Sequence, residues 1–251
     1  MKHSNKAGFT IIETVLFLGV TGLLVMSILV GTGTSINIQR YRDSVNSLQA
    51  VFKQQYSEVN NVANSRGADW DCSSANGLAL EAVGHIGDAK NRGQSGNCVI
   101  MGRLVTNVGT DGKKILIRSV TTSLADVGTT KSDIELLAKS NPIPGGEDYD
   151  IDWGSTLVND AGNPINFSVL IIRSPLNGAV RTFINSDKAV NDEVGKINEV
   201  FSVGEPLNTP IKICVNSHGL FNGSKMAVLI NANTTSASGV EVLGDASSGC
   251  R

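Results

Sequence analysis

Read along the chain, hydrophobic and polar positions change pattern three times, and each change marks a different kind of structure. From Phe9 to Val30 the chain is an apolar run broken by one charge, Glu13. Ahead of it lies a short polar leader, Met1 to Gly8, with Lys2, His3 and Lys6. At ~1.5 Å rise per residue the run makes about 33 Å of helix, enough to cross a bilayer core. Gly31-Thr32-Gly33-Thr34-Ser35 follows, a poor helix-forming stretch. Beyond it Ile38, Tyr41, Val45, Leu48, Phe52, Tyr56, Val59 and Val62 recur at three- and four-residue steps, an amphipathic stripe. Arg40, Arg42, Asp43, Lys53 and Glu58 fall off that stripe. The pattern predicts one long helix from about Thr10 to Asn64, weakest near Gly31. Its first half suits a membrane, and its second half offers a stripe to a globular head.

The third regime is β-like. Residues 65 to 97 are rich in Gly, Asn, Asp and Ser and read as a loop with a short helix at Gly77 to Val83. Val99–Val108 and Lys113–Val120 are β-branched runs joined through Gly109-Thr110-Asp111-Gly112, a hairpin signature. Ser132-Asp133-Ile134-Glu135 has the form of a capping box, so a short helix is expected after it. Asn141-Pro142-Ile143-Pro144-Gly145-Gly146 reads as a break. Further strands are expected at Tyr149–Leu157, Ile165–Arg173, Ala179–Ile184, Ile211–Asn216, Lys225–Ala232 and Val240–Leu243, with Ser174 to Gly178 as a turn. The fold class is α+β: a long N-terminal helix packed on an antiparallel β-sheet head, with room for a second small sheet. The expected divisions are a leader at 1–8, an apolar helix half at 9–30, an amphipathic helix half at 31–64 and a β-rich head at 65–251.

Composition adds little to this until the cysteines. The net charge of −2 gives no global reason to expect nucleic acid or acidic lipid as a partner. Cys72, Cys98, Cys214 and Cys250 all lie beyond the apolar run, so a chain exported behind that run carries them into an oxidising compartment. Three pairings are open from sequence. Cys72–Cys98 and Cys214–Cys250 are favoured because each closes a local, glycine-rich loop. A zinc site is the competing reading, but no pair has C-x-x-C spacing, and neither His85 nor His218 completes a ligand pattern.

The apolar run begins like a secretory signal, yet the small residue of a cleavage site precedes it as Gly8 instead of following it. A cut after Gly8 leaves the helix on the mature protein as a retained anchor. Glu13 is costly in such a span, at roughly 2.5 kcal/mol or more, so it needs a partner or a reason. The residues Gly8-Phe9-Thr10-Ile11-Ile12-Glu13-Thr14-Val15-Leu16-Phe17-Leu18-Gly19-Val20 resemble the N-terminus of type IV pilins and of the related pseudopilins of type II secretion. The resemblance covers roughly residues 1 to 60. It implies cleavage between Gly8 and Phe9 by a prepilin peptidase, and methylation of the new amino terminus at Phe9. It also implies an assembly role for Glu13, whose carboxylate meets the Phe9 amine of a neighbouring subunit. Lys2 and Lys6 favour a cytoplasmic leader, whereas Arg40 and Arg42 pull the other way. The resemblance decides for a leader inside and a head outside. Many members of the family carry a proline in the anchor, while the first proline here is Pro142.

Other chemistry has less behind it. Asp148-Tyr149-Asp150-Ile151-Asp152 begins like a calcium loop, but the loop glycine is missing and the twelfth position is Asn159. An edge strand with Tyr149, Ile151 and Trp153 inward and the aspartates outward fits the alternation better. His85 and His218 have no nucleophile beside them, so no catalytic residue, enzyme activity or cofactor is expected. The turn from Ile213 to Gly219 loosely resembles the terminal hairpin of some minor pilins, a few of which bind DNA. No dense basic cluster accompanies it, so nucleic-acid binding is not expected. The expectation is a structural subunit of a pilus-like (fimbrial) filament. Its partners are copies of itself, the prepilin peptidase, the pilus assembly machinery and the membrane. It is held single-pass in the cytoplasmic membrane as a precursor, then displayed in a cell-surface filament. The alternatives are a minor pilin or pseudopilin of a secretion or DNA-uptake system, or a membrane-anchored binding module.

Overall fold

The computed structural model describes residues 10–61, 70–73, 79–82, 94–95, 97–130, 132–189, 197–201, 209–217, 219 and 225–250. Helix α1 runs from Ile11 to Asn61, 51 residues, without interruption at Gly31 or Gly33. Its first part stands clear of everything else, and burial begins only at Asn37 and Ile38. From there Tyr41, Val45, Leu48, Phe52, Tyr56 and Val59 are buried, so the amphipathic stripe is the face that meets the head. Val62, the last residue of the expected stripe, lies outside the described residues.

The head contains antiparallel sheets. Strands β1 (Trp70–Ser73) and β2 (Ala79–Ala82) form a ribbon. This corrects the short helix expected over Gly77 to Val83, since Ala79 to Ala82 pair with a neighbouring strand. The main sheet holds β3 (Gln94–Ser95), β4 (Cys98–Val108), β5 (Lys114–Ser123), β6 (Asn141–Pro142), β7 (Glu147–Asp150), β9 (Ser168–Arg173) and β10 (Val180–Asn185). Its path is β10-β9-β4-β5, with β6 and β7 sharing the outer edge of β5 and β3 adding to β4. The second sheet follows the order β13-β12-β11-β8, with β8 Thr156–Val158, β11 Ile211–Asn216, β12 Ala227–Ile230 and β13 Val240–Leu243. Short helices α2 (Leu124–Thr129), α3 (Asp133–Ala138), α4 (Ile197–Val200) and α5 (Asp245–Ser248) fill the connections. The capping serine behaves as its sequence suggests: Ser132 Oγ accepts from the Glu135 N–H and starts α3.

The strand expected over Tyr149–Leu157 is two strands in different sheets. β7 ends at Asp150, a tight turn occupies Asp152–Gly154, and β8 then joins β11. The chain changes sheet there, which a continuous alternation of apolar residues could not reveal. Trp153 accordingly is not inward but about half exposed, in a left-handed backbone conformation (φ 58°).

The core is built around α1. Tyr41, Val45, Leu48, Phe52 and Tyr56 pack with Val105, Ile115, Ile117, Val169 and Ile171 of the main sheet and Ile213, Val228, Ile230 and Val240 of the second. Because side chains alternate along a strand, Leu170 and Ile172 face the other way. They form a second core with Met101, Leu104, Leu136, Leu137 and Phe201. Strand β9 is therefore covered on both faces. It also lies so close to β4 that a Cβ on Gly102 would sit 2.0 Å from the Ile171 carbonyl oxygen. Gly102 marks the register shift in β4 for that reason.

Polar contacts seat the helix in register. The Tyr41 hydroxyl donates to the Val215 carbonyl (2.9 Å) and accepts from the Met226 N–H, inserting into the ladder between β11 and β12. The Arg173 guanidinium donates to the Asn60 carbonyl (2.8 Å), placing a cation at the negative end of the helix dipole. Two disulfides tie the remaining ends: Cys72–Cys98 holds the ribbon to the start of β4, and Cys214–Cys250 holds the C-terminal segment to β11. These are the two pairings that the local loops favoured.

Candidate functional site on the N-terminal helix

The first half of α1 is an apolar surface with nothing covering it. Ile11 and Ile12 are 83% and 77% exposed, and Val15, Leu16, Phe17, Leu23, Leu24, Ile28 and Val30 are all more than half exposed. So large a solvent-facing apolar surface is stable only against lipid or other apolar helices. By length and composition the helix can cross a membrane. Its hydroxyls suit that medium. Thr14 donates to Ile11 O, Thr21 to Phe17 O, Ser27 to Leu23 O and Thr32 to Leu29 O, at 2.8 to 3.1 Å. Each is satisfied by the preceding turn and leaves no open donor in the apolar zone.

Glu13 is the exception, and the structure gives it a local partner. Its carboxylate accepts from the Thr10 N–H (3.0 Å) and the Thr10 hydroxyl (3.1 Å), while the Glu13 N–H donates back to Thr10 Oγ1 (3.3 Å). This is a reciprocal capping box, which satisfies orphan donors at the helix start. The sequence signal for it is Thr10-Ile11-Ile12-Glu13, the T-x-x-E form of a capping box. Gly8 and Phe9, the expected cleavage and methylation positions, lie outside the described residues. So do His85 and His218.

Elsewhere the candidate chemistry does not assemble. Asp148 and Asp150 are exposed on β7, while Asp152 turns aside to accept the Tyr149 hydroxyl (3.0 Å). The three carboxylates form no ligand cluster. Among the described residues, Asp160, Cys214 and Cys250 do converge. The two sulfurs are bonded to each other and Asp160 pairs with Lys212 (3.0 Å), so the group offers no thiolate. An open cleft of ≈ 580 Å³ lies beside Asn159, Asp160, Asn166, Ser186, Asp187 and Lys212. Several of its polar side chains hold the surrounding loops: Asn159 Oδ1 accepts from the N–H groups of Ala161 and Asn163, and Asn166 Oδ1 accepts from the Asn107 amide. The helix is thus the feature whose design the head alone does not explain. No family model matches the chain, and neither does any curated protein or solved structure.

Proposed function

We propose that the chain is a type IV pilin-like subunit with the fold of that family, whose action is assembly, not turnover. The precursor is cut between Gly8 and Phe9 by a prepilin peptidase and methylated at Phe9. It stays single-pass in the cytoplasmic membrane with its head outside. The assembly machinery then packs it into a cell-surface filament with copies of itself or with related subunits. The observation that carries this reading is one helix with two kinds of surface. Beyond Asn37 it is the spine of the head, while before Asn37 it is bare, apolar and headed by Glu13. Packing such helices side by side buries the bare half, and the head then forms the outer surface. In that bundle the Phe9 amine of an incoming subunit neutralises Glu13 of its neighbour.

The test is electron microscopy of filaments sheared from the producing cells, with mass spectrometry of their subunits. The expected result is this chain within filaments, beginning at N-methylated Phe9. A chain that keeps residues 1–8 and is absent from every sheared fibre would discard the reading.

A further inference from the structure

Trp153 combines three properties that seldom coincide. It is a bulky residue held at φ 58°, it is 52% exposed, and its ring lies under the Arg40 guanidinium at 5.0 Å. A large non-glycine residue in the left-handed region carries backbone strain, and such strain tends to be kept where a side chain must be presented. Trp153 belongs to none of the apolar core clusters of the head, so core packing does not account for that cost. Its place on the molecule does.

The turn at Asp152–Gly154 packs on α1, with Trp153 against Arg40, three residues beyond Asn37, where burial on the helix begins. Residues 31–36 below it are exposed all round, so among the described residues this turn belongs to the edge of the head nearest the apolar span. Val30 and Arg40 are separated by about 15 Å along the helix axis. The headgroup layer fills about 5–8 Å of that distance. Side chains on a helix lean toward its N-terminus, here toward the membrane, and a long arginine side chain spans much of what remains. Tryptophan is enriched at headgroup level because its ring is apolar and its indole N–H needs a polar partner. An arginine held over the face of such a ring keeps its N–H donors, which radiate in the guanidinium plane, free for phosphate oxygens.

We propose that Trp153 and Arg40 form a membrane-docking contact, in which the stacked pair engages phospholipid headgroups and seats the head on the bilayer that α1 spans. This rests on the membrane-anchor reading of residues 11–30. Before assembly the contact would hold the head at a fixed height above the membrane, and it must be released when the subunit leaves.

The test uses the full chain in nanodiscs of phosphatidylethanolamine and phosphatidylglycerol. The chain has two tryptophans, so Trp70→Phe leaves Trp153 as the reporter. The difference between the wild-type chain and Trp153→Phe supplies the same signal if Trp70→Phe fails to fold. The expected result is at least a twofold quenching of Trp153 by a nitroxide at headgroup level, reduced by Arg40→Gln. A separate chain, Leu23→Trp with Trp70→Phe and Trp153→Phe, reports insertion through quenching by brominated acyl chains. Quenching at position 23 with none at Trp153 overturns the docking contact and leaves the anchor intact. Quenching at neither position overturns both. Shielding of Trp153 from acrylamide that grows with protein density, without headgroup quenching, assigns the surface to a second copy of the chain and also overturns the proposal.

Discussion

Glu58 near the end of α1 forms an ion pair with Arg103 in the middle of β4, with both side chains largely withdrawn from water. Arg103 also donates to Ser119 Oγ (3.0 Å) on β5, so one guanidinium links the helix to two central strands. Breaking such a pair from one side leaves a charge without its partner in a poor solvent. Glu58→Ala should therefore destabilise the head by about 3 kcal/mol, the lower end for a buried pair. Replacing both residues, as Glu58→Leu with Arg103→Met, should recover most of that loss. Urea unfolding of the single and double variants checks it, and equal loss in both would show that the pair's charge is not the issue.

The disulfides close loops whose ends are 26 and 36 residues apart. Each should contribute between about 3.5 and 4 kcal/mol in the chain-entropy model. Reduction should lower the unfolding midpoint in two separable increments, as Cys72→Ser with Cys98→Ser and Cys214→Ser with Cys250→Ser do individually. Peptide mapping without reductant should recover Cys72 with Cys98 and Cys214 with Cys250, and crossed pairs would contradict the fold described here.

Two phenols make stability sensitive to alkali. Burial pushes Tyr56 up to about 12, with the Thr182 hydrogen bond pulling slightly back. Tyr149 also rises to about 12, through burial first and then through the Asp152 carboxylate, which accepts its hydrogen bond and opposes a second negative charge. An unfolded tyrosine ionises near pH 10. Below that pH both states are protonated, and the contribution is fully present. Between about pH 10 and 12 the unfolded chain loses protons that the folded chain keeps, so stability falls as pH rises. Chemical denaturation from pH 8 to 11.5 should show that decline beginning near pH 10. In Tyr56→Phe the slope above pH 10 should be shallower by up to about 1.4 kcal/mol per pH unit.

Gly102→Ala should be among the most damaging single substitutions in the head. Its added carbon would meet the backbone of Ile171 and Ile172, and backbone cannot swing aside as a side chain can. We expect a loss of about 3 kcal/mol or more, in the range of overpacked cores. Thermal unfolding of the variant measures it. A loss of less than about 1 kcal/mol would mean that β4 and β9 separate easily at this point.

On the pilin-like reading proposed above, Glu13→Ala separates the roles of the first turn. Removing the carboxylate costs the capping hydrogen bonds from Thr10 and so weakens the first turn of the helix. It leaves the span more apolar, so insertion and cleavage after Gly8 should persist. Incorporation into filaments should fall at least tenfold in cells lacking the wild-type copy, because an incoming Phe9 amine would meet no counter-charge. Surface incorporation and N-terminal sequencing measure the two steps separately. Thr10→Ala, which loses the hydroxyl but keeps the charge, should incorporate far better than Glu13→Ala. Wild-type incorporation of Glu13→Ala would end the charge-pairing mechanism.

Much of the molecule was legible because its signals are local. The helix from Ile11 to Asn61 follows from unbroken apolar and then three- and four-residue periodicity. Strands β11 and β13 follow from short β-branched runs, and the start of α3 from Ser132 and Glu135. Nearby cysteines in glycine-rich loops pointed to both disulfides, since a short loop costs little entropy to close. What remained hidden depends on contacts distant in sequence. Glu58 reads as one more charge off the apolar stripe until Arg103 arrives from a strand that only the sheet order places beneath it. Tyr149 to Leu157 reads as one strand until the chain changes sheets at Trp153. Gly102 reads as a flaw in a strand until β9 packs against it. The sequence by itself determined the helix, its bare apolar half and the antiparallel character of the head. Only the tertiary structure decided that Glu58 is paired, that Trp153 faces solvent and that Gly102 has no room for a side chain, because each depends on which strand lies next to which.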